Sequence, residues 1–219
     1  IMHMYCRDRN RMALQGDALA AHVLGIQNII VTGSEDMSES DHSDAKTVND
    51  LNEVQLIEAL MTLQTGKDMS GFDLDGAPDF SIGCTISSFA DDKGRDDALL
   101  ATQAKIKAGA RYVITPPIYD VAAGADFLSR VNELGVPVIT TVFLLKSLAI
   151  AQYITNSDPG ANISNELIRR IRKSSNRELE GIKIAGETIQ ALREKSQGVL
   201  IQTLGWEHKL PEILDVAKI

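Results

Sequence analysis

Residues able to do chemistry are sparse in this chain, and they recur at one kind of place: the end of a short apolar run. His3 follows Ile1-Met2, Thr32-Gly33-Ser34 follows Ile29-Ile30-Val31, and Gly83-Cys84-Thr85 follows Phe80-Ser81-Ile82. Thr115-Pro116-Pro117 follows Val113-Ile114, and Gln202-Thr203-Leu204 follows Val199-Leu200-Ile201. An imidazole at such an end can hydrogen-bond a ring, and a glycine lets the backbone approach one closely. Cys6 and Cys84 are too few and too far apart for a disulfide framework or a zinc cluster. With no His partner nearby in sequence, Cys84 reads as a small buried hydrophobe rather than a nucleophile. His22, inside a helical window, and His208, near the end of the chain, read as structural or solvated.

Composition sets the frame. The chain has 219 residues, is 44% hydrophobic and 24% charged, and sits near average globular composition. No apolar run approaches the ~20 residues of a spanning helix, so no membrane partner is expected. Thirty acids against 22 Lys and Arg give a formal charge of -8, a poor start for holding a phosphate backbone, so no nucleic-acid partner is expected either. Two cysteines and no signal-peptide pattern point to a reducing cytoplasm. A first residue of Ile rather than Met leads to the expectation of a segment upstream of Ile1.

The elements that position the strand-end residues repeat as a short β-branched run followed by an amphipathic helical stretch. Strands are predicted at residues 1–5, 28–32, 79–84, 112–115, 137–141 and 199–203, each nearly continuous in apolar residues as buried parallel strands are. Helical windows lie at 11–24, 52–65, 96–108, 122–134 and 178–195. Gly109 and Gly135 follow two of them, and Ser175-Asn176-Arg177-Glu178 has capping-box spacing before the last. Six βα units can form a doubly wound sheet or most of a barrel. No Gly-x-Gly-x-x-Gly follows a strand, and ~250 residues is typical of a full barrel, so the pattern predicts an α/β fold, a (β/α)8 TIM barrel lacking two units. Residues 1–219 are expected to form one such domain, with Thr32, Gly83, Thr115 and Gln202 at one rim. Open strand edges and apolar helix faces of an incomplete barrel predict a homo-oligomer or a hetero-complex. The polar, acidic stretch 34–41 follows a strand and is a candidate site segment.

Several segments, in this order over nearly the whole chain, resemble the methylenetetrahydrofolate reductase family of flavoprotein barrels in one-carbon metabolism. They are His3-Met4-Tyr5-Cys6-Arg7-Asp8-Arg9-Asn10, Asn28-Ile29-Ile30-Val31-Thr32-Gly33, Asp41-His42-Ser43-Asp44-Ala45-Lys46, Pro78-Asp79-Phe80-Ser81-Ile82-Gly83, Lys105-Ile106-Lys107-Ala108-Gly109-Ala110, Ile114-Thr115, and Leu204-Gly205-Trp206-Glu207-His208-Lys209-Leu210-Pro211-Glu212-Ile213-Leu214. The resemblance implies that Ile1 falls at the family's third strand. The acid that protonates the folate N10 then belongs upstream of Ile1.

The resemblance also implies site residues. His3 and Tyr5 lie beside a flavin, and Thr32, Gly33 and Ser34 lie at its ring, with Ser34 where relatives carry an Asp. Glu35 or Asp36 could restore that carboxylate by a shift of one or two residues. His42, with Lys46, meets the cofactor phosphate or ribose, or belongs to an ordinary solvated loop. Gly83, Cys84 and Thr85 leave room for the ribityl and phosphate portions. Lys105 matches a contact to the adenine dinucleotide portion, while the neighbouring contacts fall on Ala98, Ala101 and Ala104, which leaves adenosine loosely held. FAD is the implied cofactor, with FMN possible. Thr115, Pro116, Gln202 and Leu204 fall at the substrate, and Pro116 stands where relatives have a pterin-binding Gln. Asp120 is more simply an N-cap. Arg169-Arg170-Ile171-Arg172-Lys173 reads as a solvated helix face, with a phosphate or polyglutamate-tail site as the alternative.

The implied activity is flavin-dependent reduction of a methylene-tetrahydropterin, methylenetetrahydrofolate or a methanopterin analogue, to the methyl form used in methionine biosynthesis. NAD(P)H, a deazaflavin or a partner subunit would each suit as electron donor. Two rivals stay open. One is another flavin oxidoreductase of the proline-dehydrogenase-like type, and the other is a non-catalytic barrel subunit, for which Ser34 and Pro116 argue.

Overall fold

A computed structural model of the chain describes residues 1–34, 37, 41–158, 160–161 and 163–219. Six strands form one sheet in the order β1-β2-β3-β4-β5-β6, and eight α-helices alternate with or follow them among the described residues. The pairs β1–β2, β2–β3 and β5–β6 are parallel. Parallel strands in sequence order with helical crossovers are the succession expected of about six units of a (β/α)8 barrel. Contacts divide the chain into two compact units, residues 1–85 with 100–113, and residues 86–99 with 114–219.

The first unit is built on β1 (Met2–Met4), α1 (Arg11–Val23), β2 (Asn28–Val31), α2 (Glu53–Gln64) and β3 (Ser81–Thr85). It also takes the end of α3 (Asp92–Ala108) and the start of β4 (Tyr112–Pro117). Met4, Ile29, Ile30, Val31, Ile82 and Cys84 are buried along the strands, and Leu56, Ile57, Leu60 and Leu63 are buried along α2. Both crossover helices begin on asparagine. The Asn10 side chain accepts from Ala13 N, and Asn52 with Gln55 forms a reciprocal capping box. Asp50 accepts from Arg11 N, Nε and Nη2 at 2.9, 2.9 and 3.0 Å, tying the first turn of α1 to the approach of α2. Those hydrogen bonds hold the Asp50 carboxyl down at about 2.

The second unit continues with α4 (Val121–Asn132), β5 (Val138–Phe143), α5 (Leu148–Ser157), α6 (Asn165–Lys173), α7 (Arg177–Leu192), β6 (Gly198–Gln202) and α8 (Leu210–Ala217). Helix α7 is its centre. Ile184 joins the apolar cluster of Tyr119, Leu145, Ala151 and Ile171, while Ile182, Ala185 and Ile189 join Val142, Leu144, Ile213 and Ala217.

Several expected boundaries move. Helix α3 starts at Asp92, four residues before the predicted window at 96, and β5 runs to Phe143 rather than 141. Helix α7 is capped by Asn176, whose side chain accepts from Leu179 N, so the expected Ser175 box gives way to a cap one residue later. Asp120 caps α4 as expected, accepting from Ala123 N at 2.8 Å. Gly109 and Gly135 end their helices at φ 131° and 76°, where a Cβ would be strained. The basic run on α6 is only partly a solvated face. Arg170 donates to both oxygens of Glu187, at 2.6 and 2.9 Å, and also to Glu180, and Ile171 is fully buried.

Two glycines give opposite expectations. A Cβ at Gly181 in α7 would lie 2.4 Å from the Leu145 carbonyl oxygen, a backbone atom, whereas a Cβ at exposed Gly16 in α1 meets nothing within 4 Å. Gly181→Ala is expected to destabilise the protein by about 2 kcal/mol or more. Gly16→Ala should stabilise it by about 0.5–1 kcal/mol through helix propensity alone. Urea unfolding midpoints of the two variants check the pair.

Candidate functional site

In the first unit the strand C-terminal ends carry a connected polar network. The Thr85 hydroxyl at the end of β3 donates to the Thr32 hydroxyl just past β2 at 3.1 Å, and the Thr32 hydroxyl donates to the Gly33 carbonyl at 3.2 Å. Beneath them Lys105, on the inward face of α3 with Thr102, is 4% exposed. Its ammonium donates to the Thr85 carbonyl at 2.7 Å and to Glu53 Oε2 at 2.6 Å. Glu53 is the first residue of α2, directly after the Asn52 cap, so the capping box that starts the helix also aims this carboxylate. Its side chain is 28% exposed against 5% for Lys105. The carboxylate is therefore the member of the pair that faces outward.

Glu53 was not among the residues picked out from sequence. A signal for it exists: a lysine on the buried face of an amphipathic helix needs a counter-charge, and an acid on the first turn of the neighbouring crossover helix is a natural source. The other Glu53 oxygen, Oε1, lies 3.2 Å from where a Cβ on Gly33 would stand. Gly33 thus makes space for Glu53, a role that the expectation of a flat ring against bare backbone did not include. Gly83 is different again. It sits within β3, paired with Ile30, rather than at the rim, because the strand continues to Thr85. A Cβ there would lie 2.3 Å from the Tyr112 ring. The room expected for a ribityl chain beside Gly83 is filled by Tyr112.

The Lys105 ammonium, which the resemblance implies as a contact to a dinucleotide, here donates to Glu53 and the Thr85 carbonyl, and the residue is 4% exposed. Burial pushes the Cys84 thiol up to about 11, with Lys105 pulling it down and Glu53 raising it less. Burial and Glu53 together push Cys6 to about 11. Both are protonated near neutral pH and make poor nucleophiles, in line with the reading of Cys84 as a buried hydrophobe. His3, Gly33 and Ser34 are exposed, and Tyr5 is 37% exposed. His42 is exposed in a turn at 41–44. Residues 48 and 49 are tied to the end of β1 by Val48 N donating to the Arg7 carbonyl and Asn49 N donating to the Cys6 carbonyl. Glu35 and Asp36, the candidates for restoring a carboxylate near Ser34, lie outside the described residues.

In the second unit Thr115 is 4% exposed and works inside the sheet. Its hydroxyl accepts from Thr141 N at 3.1 Å and donates to the Pro116 carbonyl at 2.9 Å, while Thr141 Oγ1 donates to the Thr115 carbonyl at 2.7 Å. Thr115 therefore has little left for a substrate. Pro116 is half-buried and lies within β4, which runs on to Pro117. Gln202, the last residue of β6, and Leu204 beyond it are exposed. Among the described residues no group of three or more His, Cys, Asp or Glu is placed to hold a metal ion, and no helix is long and apolar enough to cross a membrane.

The Lys105–Glu53 pair predicts an asymmetry. Glu53→Gln leaves a buried ammonium without its counter-charge and should cost about 3 kcal/mol or more. Lys105→Met should cost less, because the carboxylate left behind can hydrate. Urea unfolding at pH 7 measures both, and equal losses would contradict the burial asymmetry.

Comparison with known proteins bears on the family and the fold. The family model for methylenetetrahydrofolate reductase matches residues 1–218. No curated protein matches the chain. Among solved structures, an uncharacterized protein from Clostridium thermocellum that binds two copies of 5-methyl-5,6,7,8-tetrahydrofolic acid superposes with a TM-score of 0.51 at 18% identity. The match covers 99% of this chain and 93% of that one, and it shows a shared fold. With the family model spanning almost every residue, the chain belongs to the methylenetetrahydrofolate reductase family.

Proposed function

We propose that this protein binds a reduced folate at the C-terminal ends of its strands and serves the flavin-dependent reduction of a methylene-tetrahydropterin to its methyl form. The observation that carries the reading is the polar network at the ends of β2 and β3, with Glu53 facing outward beside Gly33, in a chain of this family. The ligand of the Clostridium thermocellum protein supports a tetrahydrofolate as the substrate class.

The residues suit the ring end of a flavin better than its adenosine end. Ser34, next in sequence, and the Glu53 carboxylate offer a donor and an acceptor beside the Gly33 backbone, and His3 on β1 is exposed. Ala101 and Ala104 on α3 have no polar side-chain atom, and Lys105 is turned inward. A flavin, when bound, supplies the hydride chemistry. The chain's own share is to bind and orient. Thr32 and Thr85 fix the backbone that faces the ring, and Lys105 fixes the Glu53 rotamer. The resemblance puts Gln202 and Leu204, at and just past the end of β6, among the substrate contacts.

The non-catalytic reading draws on two side chains. Ser34 offers a hydroxyl and no charge, and Pro116 offers neither a side-chain donor nor an N–H. Reconstitution separates the readings. The protein should retain FMN about as well as FAD. After anaerobic reduction of the bound flavin, it should convert methylenetetrahydrofolate to 5-methyltetrahydrofolate in a single turnover, read by mass spectrometry. Retention of no flavin would support the scaffold reading. Retained flavin with no methyl product would point to another flavin oxidoreductase. NAD(P)H, a reduced deazaflavin and a candidate partner subunit can then be compared as reductants of the loaded protein.

A further inference from the structure

Just past β6 the backbone does something that the residue there resists. Leu204 has φ 48° and Gly205 has φ 80°, and Trp206 N donates to the Thr203 carbonyl at 3.3 Å. Two positive φ values inside such a hydrogen bond are the signature of a type I′ turn, whose first central position favours Asn, Asp or Gly. A γ-branched residue gains nothing there from the backbone, since its Cβ crowds the following carbonyl. Nor does burial explain it, because Leu204 is 54% exposed.

The turn is held from two sides. Glu207 Oε1 accepts from the Thr203 hydroxyl at 2.8 Å and from Gly205 N at 3.1 Å. From the end of β5, Lys146 donates its ammonium to the Leu204 carbonyl while lying 5.1 Å from the centre of the Trp206 ring. All four turn residues are thus gripped by Lys146 or Glu207, Leu204 through its carbonyl, while its side chain stays largely exposed. A strained residue over-determined by its surroundings, at the C-terminal end of a parallel strand, is where a binding surface is expected.

We propose that Lys146 and Glu207 are positioning residues, which hold the 203–206 turn in its left-handed form so that Leu204 stands as an apolar wall for the ring system of a reduced pterin. The substrate class rests on the function proposed above. The clamp rests on the turn itself. Neither Lys146 nor Glu207 needs to touch the ligand, so their effect passes through the conformation of Leu204.

The test uses the whole chain, with 5-methyltetrahydrofolate as the probe in calorimetric titration and thermal unfolding as a second readout. Lys146→Met and Glu207→Ala are each expected to weaken binding by about tenfold, while Glu207→Gln, which keeps the accepting oxygen, stays within about threefold of the parent. Leu204→Asn should raise the melting temperature, because Asn accepts positive φ, and still lose about tenfold in binding. Adding Lys146→Met to Leu204→Asn should cost no further affinity, since the clamp acts through a side chain already gone. Parental binding by Lys146→Met and Glu207→Ala, or full additivity in the double variant, would overturn the positioning role. An unchanged or lowered melting temperature for Leu204→Asn would overturn the strain. A parent that does not bind 5-methyltetrahydrofolate would instead remove the substrate reading, and the pterin wall with it.

Discussion

A lysine ammonium almost sealed from water at the base of the strand ends is the constraint around which the first unit is arranged. Such a charge is tolerable only with a partner and with its donors used, because desolvation of an unpaired ion costs several kcal/mol, roughly what a small domain has to spare. Lys105 meets both conditions by reaching Glu53 and the Thr85 carbonyl. The consequences run outward. Glu53 must stand at the first turn of α2, so that helix must start at Asn52; Gly33 leaves the Glu53 carboxylate room, since a Cβ there would stand 3.2 Å from Oε1; and the end of β3 presents its carbonyl inward and its hydroxyl toward Thr32. One buried cation thereby couples two strand ends and two helices of the same unit.

The second unit solves its rim differently. There the strand-end groups satisfy one another within the sheet, as Thr115 and Thr141 do, and the outward features come from a turn locked by long side chains. The first unit offers charge and hydroxyls at its strand ends, and the second offers an apolar side chain.

Much of the fold was legible because it rests on local signals. Short β-branched runs marked all six strands, and glycines after helices marked where α3 and α4 end, since these depend on period and on φ preference alone. The misplaced boundaries share a cause. Asn176 displaced Ser175 as the cap of α7, and α3 gained a polar first turn, because hydrogen bonds at a helix end outrank apolar periodicity there. The site was legible as positions rather than as roles. Gly33, Thr85, Lys105 and Leu204 were singled out from strand ends and from resemblance, yet what each does depends on a distant neighbour. Glu53 explains Gly33 and Lys105, Tyr112 explains Gly83, and Lys146 with Glu207 explains how Leu204 is held. Glu207 apart, which acts within the turn's own neighbourhood, these partners lie 20 to 58 residues away and leave no imprint on spacing.

The contact between Gly83 and Tyr112 reaches beyond this one molecule. A ring lying where a Cβ would stand means that neither position can vary by itself: a larger residue at 83 needs a smaller one at 112, and losing the ring opens a void that glycine cannot fill. The two codons are therefore expected to drift together or not at all. Descendants of this chain that gain a side chain on the third strand should be recognisable by the loss of the aromatic at the start of the fourth.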